Sequence, residues 1–170
     1  MQKDFSYPLK IDELGSGEQH YTLNADKEEL DILRNILQVP AVNSFTADFV
    51  LKFSKKSNQL KITGTVKANL GLVSVISLDA FDRDYTNTFD LLYDTAATYE
   101  DIYGNDDDIN ADVPDIIYNG EINLADIAIE QLALVMEDNP RRDGETFSGF
   151  IEDDSPVTSN PFAALSKLKK

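Results

Sequence analysis

The chain has 170 residues, 42% of them hydrophobic, with no cysteine and a formal net charge of -16. That length and apolar content suit one domain that buries a real core, and the missing cysteines exclude disulfides, thiolate metal sites and thiol nucleophiles. Residues 1–93 hold 13 acids and 10 bases, whereas residues 94–170 hold 18 acids and 5 bases, so the second half carries the negative charge and a basic protein is the better electrostatic match than a nucleic acid.

At the N-terminus, MQKDFSYPLKIDEL lacks the uninterrupted apolar stretch of a signal peptide, and no later run is long enough to span a bilayer. A cytoplasmic protein with no membrane association is expected. Phe5, Tyr7, Leu9 and Ile11 alternate with polar residues and Pro8, which predicts a half-buried strand at a sheet edge. Gly15-Ser16-Gly17 turns the chain, and Gln19 to Leu23 can return as a short strand. In DKEELDILRNILQVP, Asp26 and Glu29 are spaced as a capping box and Leu30, Leu33, Ile36 and Leu37 share one face. This is the first helix, closed by Pro40.

The clearest strand signal follows. Phe45, Ala47, Phe49, Leu51 and Phe53 point one way, and Thr46, Asp48, Val50 and Lys52 the other. After a polar turn at Ser54 to Asn58, Leu60, Ile62, Gly64, Val66, Ala68 and Leu70 alternate with polar residues as its partner, and Gly64 in mid-strand predicts a bulge or the close approach of another element. Leu72 to Leu78 reads as a third strand and Thr88 to Tyr93 as a fourth, with Phe89, Leu91 and Tyr93 inward. Residues 94–115 carry eight acids and no base, so an exposed acidic loop is expected there, with a short ordered piece around Tyr99 to Tyr103.

Asn123 to Met136, NLADIAIEQLALVM, is the longest helical pattern, apolar round nearly all of its circumference and therefore expected to lie buried on a sheet. Asn123 is a good N-cap with Asp126 placed to complete a capping box, and Asn139-Pro140 stops the helix. Asp126, Glu130 and Gln131 form the one polar stripe, where the two like charges four residues apart cost a few tenths of a kcal/mol. Such a stripe is either plain solvated surface or a contact for a basic partner. NPRRDGETFSGF is rich in turns, and Arg141 and Arg142 are expected to pair with nearby acids. Beyond the acidic linker Glu152 to Ser159, the tail Asn160 to Lys170 has a cap, a proline at the first helical position, Phe162, Leu165 and Leu168 on one side, and lysines at its end.

The expected architecture is α+β: an antiparallel meander, as a curved sheet or partly open barrel, packed by two main helices. Residues 1–158 form this domain with its acidic loop 94–115, and 159–170 are a basic amphipathic tail.

The chemistry-bearing patterns are few. Asp106 to Asp112 places oxygen donors at alternate positions, but a calcium loop would need glycine at the sixth position and glutamate at the twelfth, where this chain has Ala111 and Ile117. His20 is the only histidine and has no partner at local spacing. With no phosphate-cradling loop and no nucleophile elbow, neither an enzyme nor a cofactor or metal is expected. Lys52, Lys61 and Lys67 fall on the outward face of the meander, with Lys55 and Lys56 at its turn. This strip is the alternative reading, direct RNA binding.

Three stretches, ITGTVKANLGLVSVISLDAF, GEINLADIAIEQLALVMEDNPRRDGE and NPFAALSKLK, together resemble the YceD-like family, bacterial and plastid proteins described as large ribosomal RNA subunit accumulation proteins. They cover about a third of the chain, and the latter two look like the alphaproteobacterial branch. Ser74 and Ser77 stand where many relatives have a C-x-x-C pair, so a zinc role does not carry over. Glu130, Gln131, Pro140, Arg141 and Phe162 match family-pattern positions without an assigned chemical role. The resemblance implies a role in synthesis, processing or stability of 23S ribosomal RNA. Joined to the charge pattern, it leads to a non-enzymatic ribosome-biogenesis factor that holds a basic ribosomal protein or assembly factor and associates with 23S ribosomal RNA indirectly. The partner-binding residues expected on that reading are Asp126, Glu130, Gln131, Arg141, Arg142 and Phe162.

Overall fold

Three long strands form the centre of the protein. The computed structural model describes residues 4–97 and 115–147. In it β3 (Ala41–Ser54), β4 (Gln59–Val73) and β5 (Ala80–Asp94) run as an antiparallel meander. An earlier strand, β2 (Gly17–Asn24), adds antiparallel to β3, and the two-residue β6 (Asp115–Ile116) adds parallel to the end of β5, giving the order β2-β3-β4-β5-β6. The chain is thus α+β, as its pattern predicts. The sheet is open rather than curled towards a barrel, because β2 and β6 end as its two edges and do not pair.

The strand at the N-terminus takes no part in that sheet. Of the predicted stretch only β1 (Pro8–Lys10) is strand, and it pairs with β7 (Glu121–Asn123) in a separate two-stranded sheet. Ile11 turns inward at the start of a 3-10 turn, and Phe5 packs edge-on against Phe45 with ring centroids 5.4 Å apart. Apolar alternation marked which of these side chains are buried, but the strand partner came from the far end of the chain.

Helix α1 (Lys27–Leu37) begins as its sequence demands. Asp26 Oδ1 accepts from the Glu28 and Glu29 amides at 3.0 Å each, and Glu29 Oε2 accepts from the Asp26 amide at 2.8 Å. Its fully buried Leu33 faces the core, while Ile36 is half exposed. The left-handed Gln38 ends the helix ahead of Pro40.

Beneath the helices, Phe45, Phe49, Leu51, Leu60, Ile62, Val66 and Leu70 are buried on one face of the sheet. Each such side chain stabilises by roughly 1.5–3 kcal/mol relative to exposure. Helix α2 (Leu124–Ala133) closes the layer with Leu124, Ala125, Ile127, Ala128 and Leu132. It ends earlier than the pattern predicts, because Val135 and Met136 bond three residues back, to Leu132 and Ala133, and so tighten the last turn. Nor is it buried all round. Ala133 and Leu134 are exposed beside Asp126 and Glu130, whereas Gln131, expected on the polar stripe, is buried.

Two strand assignments are corrected. Leu72 and Val73 finish β4 and are followed by a turn, so no third strand spans Leu72 to Leu78, and β5 begins at Ala80 instead of Thr88. The first half of β5 escapes a hydrophobic count because two of its inward positions are Arg83 and Asn87, both satisfied by hydrogen bonds to the α2 region. The short ordered piece expected at Tyr99 to Tyr103, the Asp106 to Asp112 run and the tail lie outside the described residues.

Candidate partner interface

Most of β5 is a sheet edge. Its pairing with β4 is continuous from Ala80 to Asp94, while β6 covers only Tyr93 and Asp94. Among the described residues, no backbone hydrogen bond from outside β4 reaches β5 between Ala80 and Leu92.

Acids line this edge on both sides. On the open face of the sheet, Asp82, Asp84 and Asp90 are exposed at even positions of β5. Asp82 Oδ1 accepts from Asn43 Nδ2 at 3.1 Å, Asp84 Oδ1 accepts from Asn69 Nδ2 at 2.7 Å, and Asp90 Oδ2 lies 2.8 Å from Lys61 Nζ. On the other side runs α2. Asn87 Nδ2 donates to the Gln131 carbonyl at 2.8 Å and to Gln131 Oε1 at 3.3 Å, which fixes the helix against the strand. Glu137 meets β5 through Arg83; burial pushes the Tyr93 phenol up to about 12, helped by the negative charges of Asp115 and Glu130, and burial followed by the Glu137 charge raises that of Tyr85.

Arg83 anchors the lower end. Its Nη1 donates to both oxygens of Glu137 at 2.7 Å, and its Nη2 donates to the Arg141 carbonyl and to Asp143 Oδ1 at 2.8 Å each. The guanidinium also lies 5.2 Å from the centroid of the Phe81 ring. One cation thus meets two carboxylates, which leaves the edge acidic overall.

The segment after α2 is held by a second node. Ser74 is fully buried, and its hydroxyl donates to Glu145 Oε2 while accepting from the Ile76 and Ser77 amides at 3.1 and 3.3 Å. Ser77 Oγ donates to Glu145 Oε1 at 2.7 Å, and the Arg142 amide donates to Glu145 Oε2 at 3.1 Å. These hydrogen bonds, with the Arg142 charge, hold the Glu145 carboxyl below the usual glutamate range. Arg142 also pairs with Asp79, and the Val75 amide donates to the Pro140 carbonyl at 2.9 Å. The two serines singled out by their spacing therefore converge on one carboxylate.

Among the expected partner-binding residues, Asp126 and Glu130 are brought together on the exposed stripe of α2. Gln131 is not there, being turned onto Asn87. Arg142 pairs with acids as expected, whereas Arg141 is exposed and contributes its carbonyl to Arg83, with no ion pair among the described residues. Phe162 lies outside the described residues.

The lysine strip is geometrically real and electrically diluted. Lys52 and Lys61 face each other across β3 and β4, but Lys52 lies 3.7 Å from Glu18 and Lys61 is paired with Asp90. Lys67 is exposed on the same face, and Lys55 and Lys56 are exposed at the hairpin turn. His20 is exposed on β2 opposite Val50. No cluster of three or more histidine or carboxylate side chains suited to a metal occurs among the described residues.

Sequence reasoning missed Arg83 and Glu145. The one available signal was an arginine at an inward position of an alternating strand, which must find carboxylates or carbonyls when folded. Among the described residues, no helix is long and apolar enough to cross a membrane. No family model, curated protein or solved structure matches the chain.

Proposed function

We propose that this chain is a non-enzymatic, cytoplasmic ribosome-biogenesis factor that supports 23S ribosomal RNA synthesis, processing or stability by holding a basic protein, a ribosomal protein or an assembly factor. The observation that carries this reading is the acidic lining of the β5 edge, with Asp82, Asp84 and Asp90 exposed on one side and, on the other, Glu130 exposed on α2 and Glu137 held at Arg83. An excess of negative charge around an accessible element steers oppositely charged partners and disfavours like-charged ones, nucleic acid included. The resemblance of three stretches to the YceD-like family supplies the ribosomal setting, and the neutralised Lys52 and Lys61 weigh against direct RNA contact.

The test is capture from a cell lysate at low and at high salt, since exposed charges are screened beyond roughly 8–10 Å at physiological ionic strength. A large-subunit protein or assembly factor is recovered at low salt and lost at high salt. Recovery of no ribosome-related protein under either condition defeats the proposal.

A further inference from the structure

We propose that the β5 edge receives its partner as an added strand, an extended segment carrying lysines or arginines. This rests on the basic-partner reading above and specifies how the partner is held. An edge strand presents a row of unpaired backbone N–H and C=O groups, a ready template for another chain. The usual structural guards are absent from β5. It is 15 residues long, contains no proline, and keeps unbroken register with β4, without a bulge.

Charge is the guard that remains, and it selects. A second copy of this chain pairing edge to edge would bring Asp82, Asp84 and Asp90 against the same row, and like charges across a strand pair are destabilising. A basic strand reverses that sign. Side chains of an added strand alternate between faces, so one set meets Asp82 and Asp84, with Asp90 shared with Lys61, on the open face, while the other lies beside α2, where Glu130 is exposed and Glu137 is paired with Arg83. Residues two apart in a strand lie roughly 6.4–6.8 Å apart, so lysines at every second position match the repeat of Asp82 and Asp84. The opposite edge, β2, fits such a partner less well. It carries a single acid, Glu18, and the ring of its Tyr21 packs against Tyr7 with centroids 6.2 Å apart.

The test uses the full-length chain and two synthetic peptides of identical charge, each alternating lysine with valine, one of them N-methylated at every backbone nitrogen so that neither of its edges can donate. Methylation removes strand pairing and keeps the Coulomb attraction. Binding at low salt is expected to protect the β5 amides between Asp84 and Leu92 from exchange, and methylation to weaken it by about tenfold or more, given the net worth of several backbone hydrogen bonds. The double variant Asp84→Lys, Asp90→Lys is expected to weaken the unmethylated peptide comparably. Equal affinity for both peptides without protection on β5 overturns the added strand while leaving a basic partner in place. Failure of both peptides to bind at low salt overturns both.

Discussion

The phenyl ring of Phe89 covers Gly64 so closely that a β-carbon built on that glycine would stand 2.5 Å from the ring's Cζ and 2.6 Å from the Asp48 carbonyl oxygen. Gly64 sits between Phe49 on β3 and Phe89 on β5, and their rings meet edge-on across it with centroids 5.7 Å apart. The missing side chain is the space in which this aromatic pair forms. Gly64→Ala is therefore expected to destabilise the fold by about 1–3 kcal/mol through overpacking, despite alanine's better backbone entropy. A urea titration that leaves the midpoint unchanged would contradict this.

Arg83 ties β5 to the segment after α2 through Glu137, Asp143 and the Arg141 carbonyl. Replacing it with alanine removes a largely buried fork and leaves its acceptors facing one another. We expect a loss of roughly 1.5–3 kcal/mol, the range for hydrogen bonds to charged groups. Arg83→Lys should rescue little, because an ammonium cannot reproduce the planar bidentate geometry. Thermal unfolding of the three proteins side by side checks both statements.

The Glu145 node is sensitive to acid. Its folded-state pKa is lowered by the hydroxyls of Ser74 and Ser77 and then by Arg142. The stabilisation is therefore present above the ordinary glutamate value and is lost as pH falls through the lowered value. Glu145→Gln should flatten that part of the acid stability profile, and in the native chain the protection of the Ile76 and Ser77 amides, taken relative to their intrinsic exchange rate, should fall over the same pH range.

Tyr93 responds at the other extreme. With its pKa pushed up to about 12 from an ordinary value of about 10, it contributes stability below the ordinary value that disappears as pH rises through the raised one. Glu130→Gln removes one of the negative charges responsible and should move the phenol's ultraviolet titration downward. No movement would mean that Glu130 does not face β5.

The parts of the fold legible in the sequence are those where one local rule acts alone. Phe45 to Phe53 alternate because one face of β3 is covered and the other is not, and Asp26 with Glu29 three residues on marks the start of α1. Gly64 was legible as a place of close approach, though not which ring would arrive. What stayed hidden depended on distant partners. Gln131 looks like surface until Asn87 is opposite it, and the early half of β5 looks too polar for a strand until Arg83 finds its acids. The acidic character of the proposed interface could be read from composition. Its placement along a free strand edge could not, since edge status follows from the sheet order.

The small sheet of β1 and β7 makes the two ends of the described chain depend on each other. Asn123 Oδ1 accepts from the Tyr7 amide at 2.8 Å, its Nδ2 donates to Ser6 Oγ at 3.1 Å, and the two partners of the first bond are 116 residues apart in sequence. Instead of completing a capping box with Asp126, Asn123 accepts from the Ala125 amide and spends the rest of its side chain on this junction. Contacts of such high sequence separation reward the chain only after the intervening loop is closed. The meander of β3, β4 and β5, joined by short turns, is thus the natural nucleus, and the N-terminal segment is a late arrival that unfolds first. Asn123→Ala should accordingly raise the unfolding rate while leaving the folding rate nearly untouched, the signature of an interaction absent from the transition state.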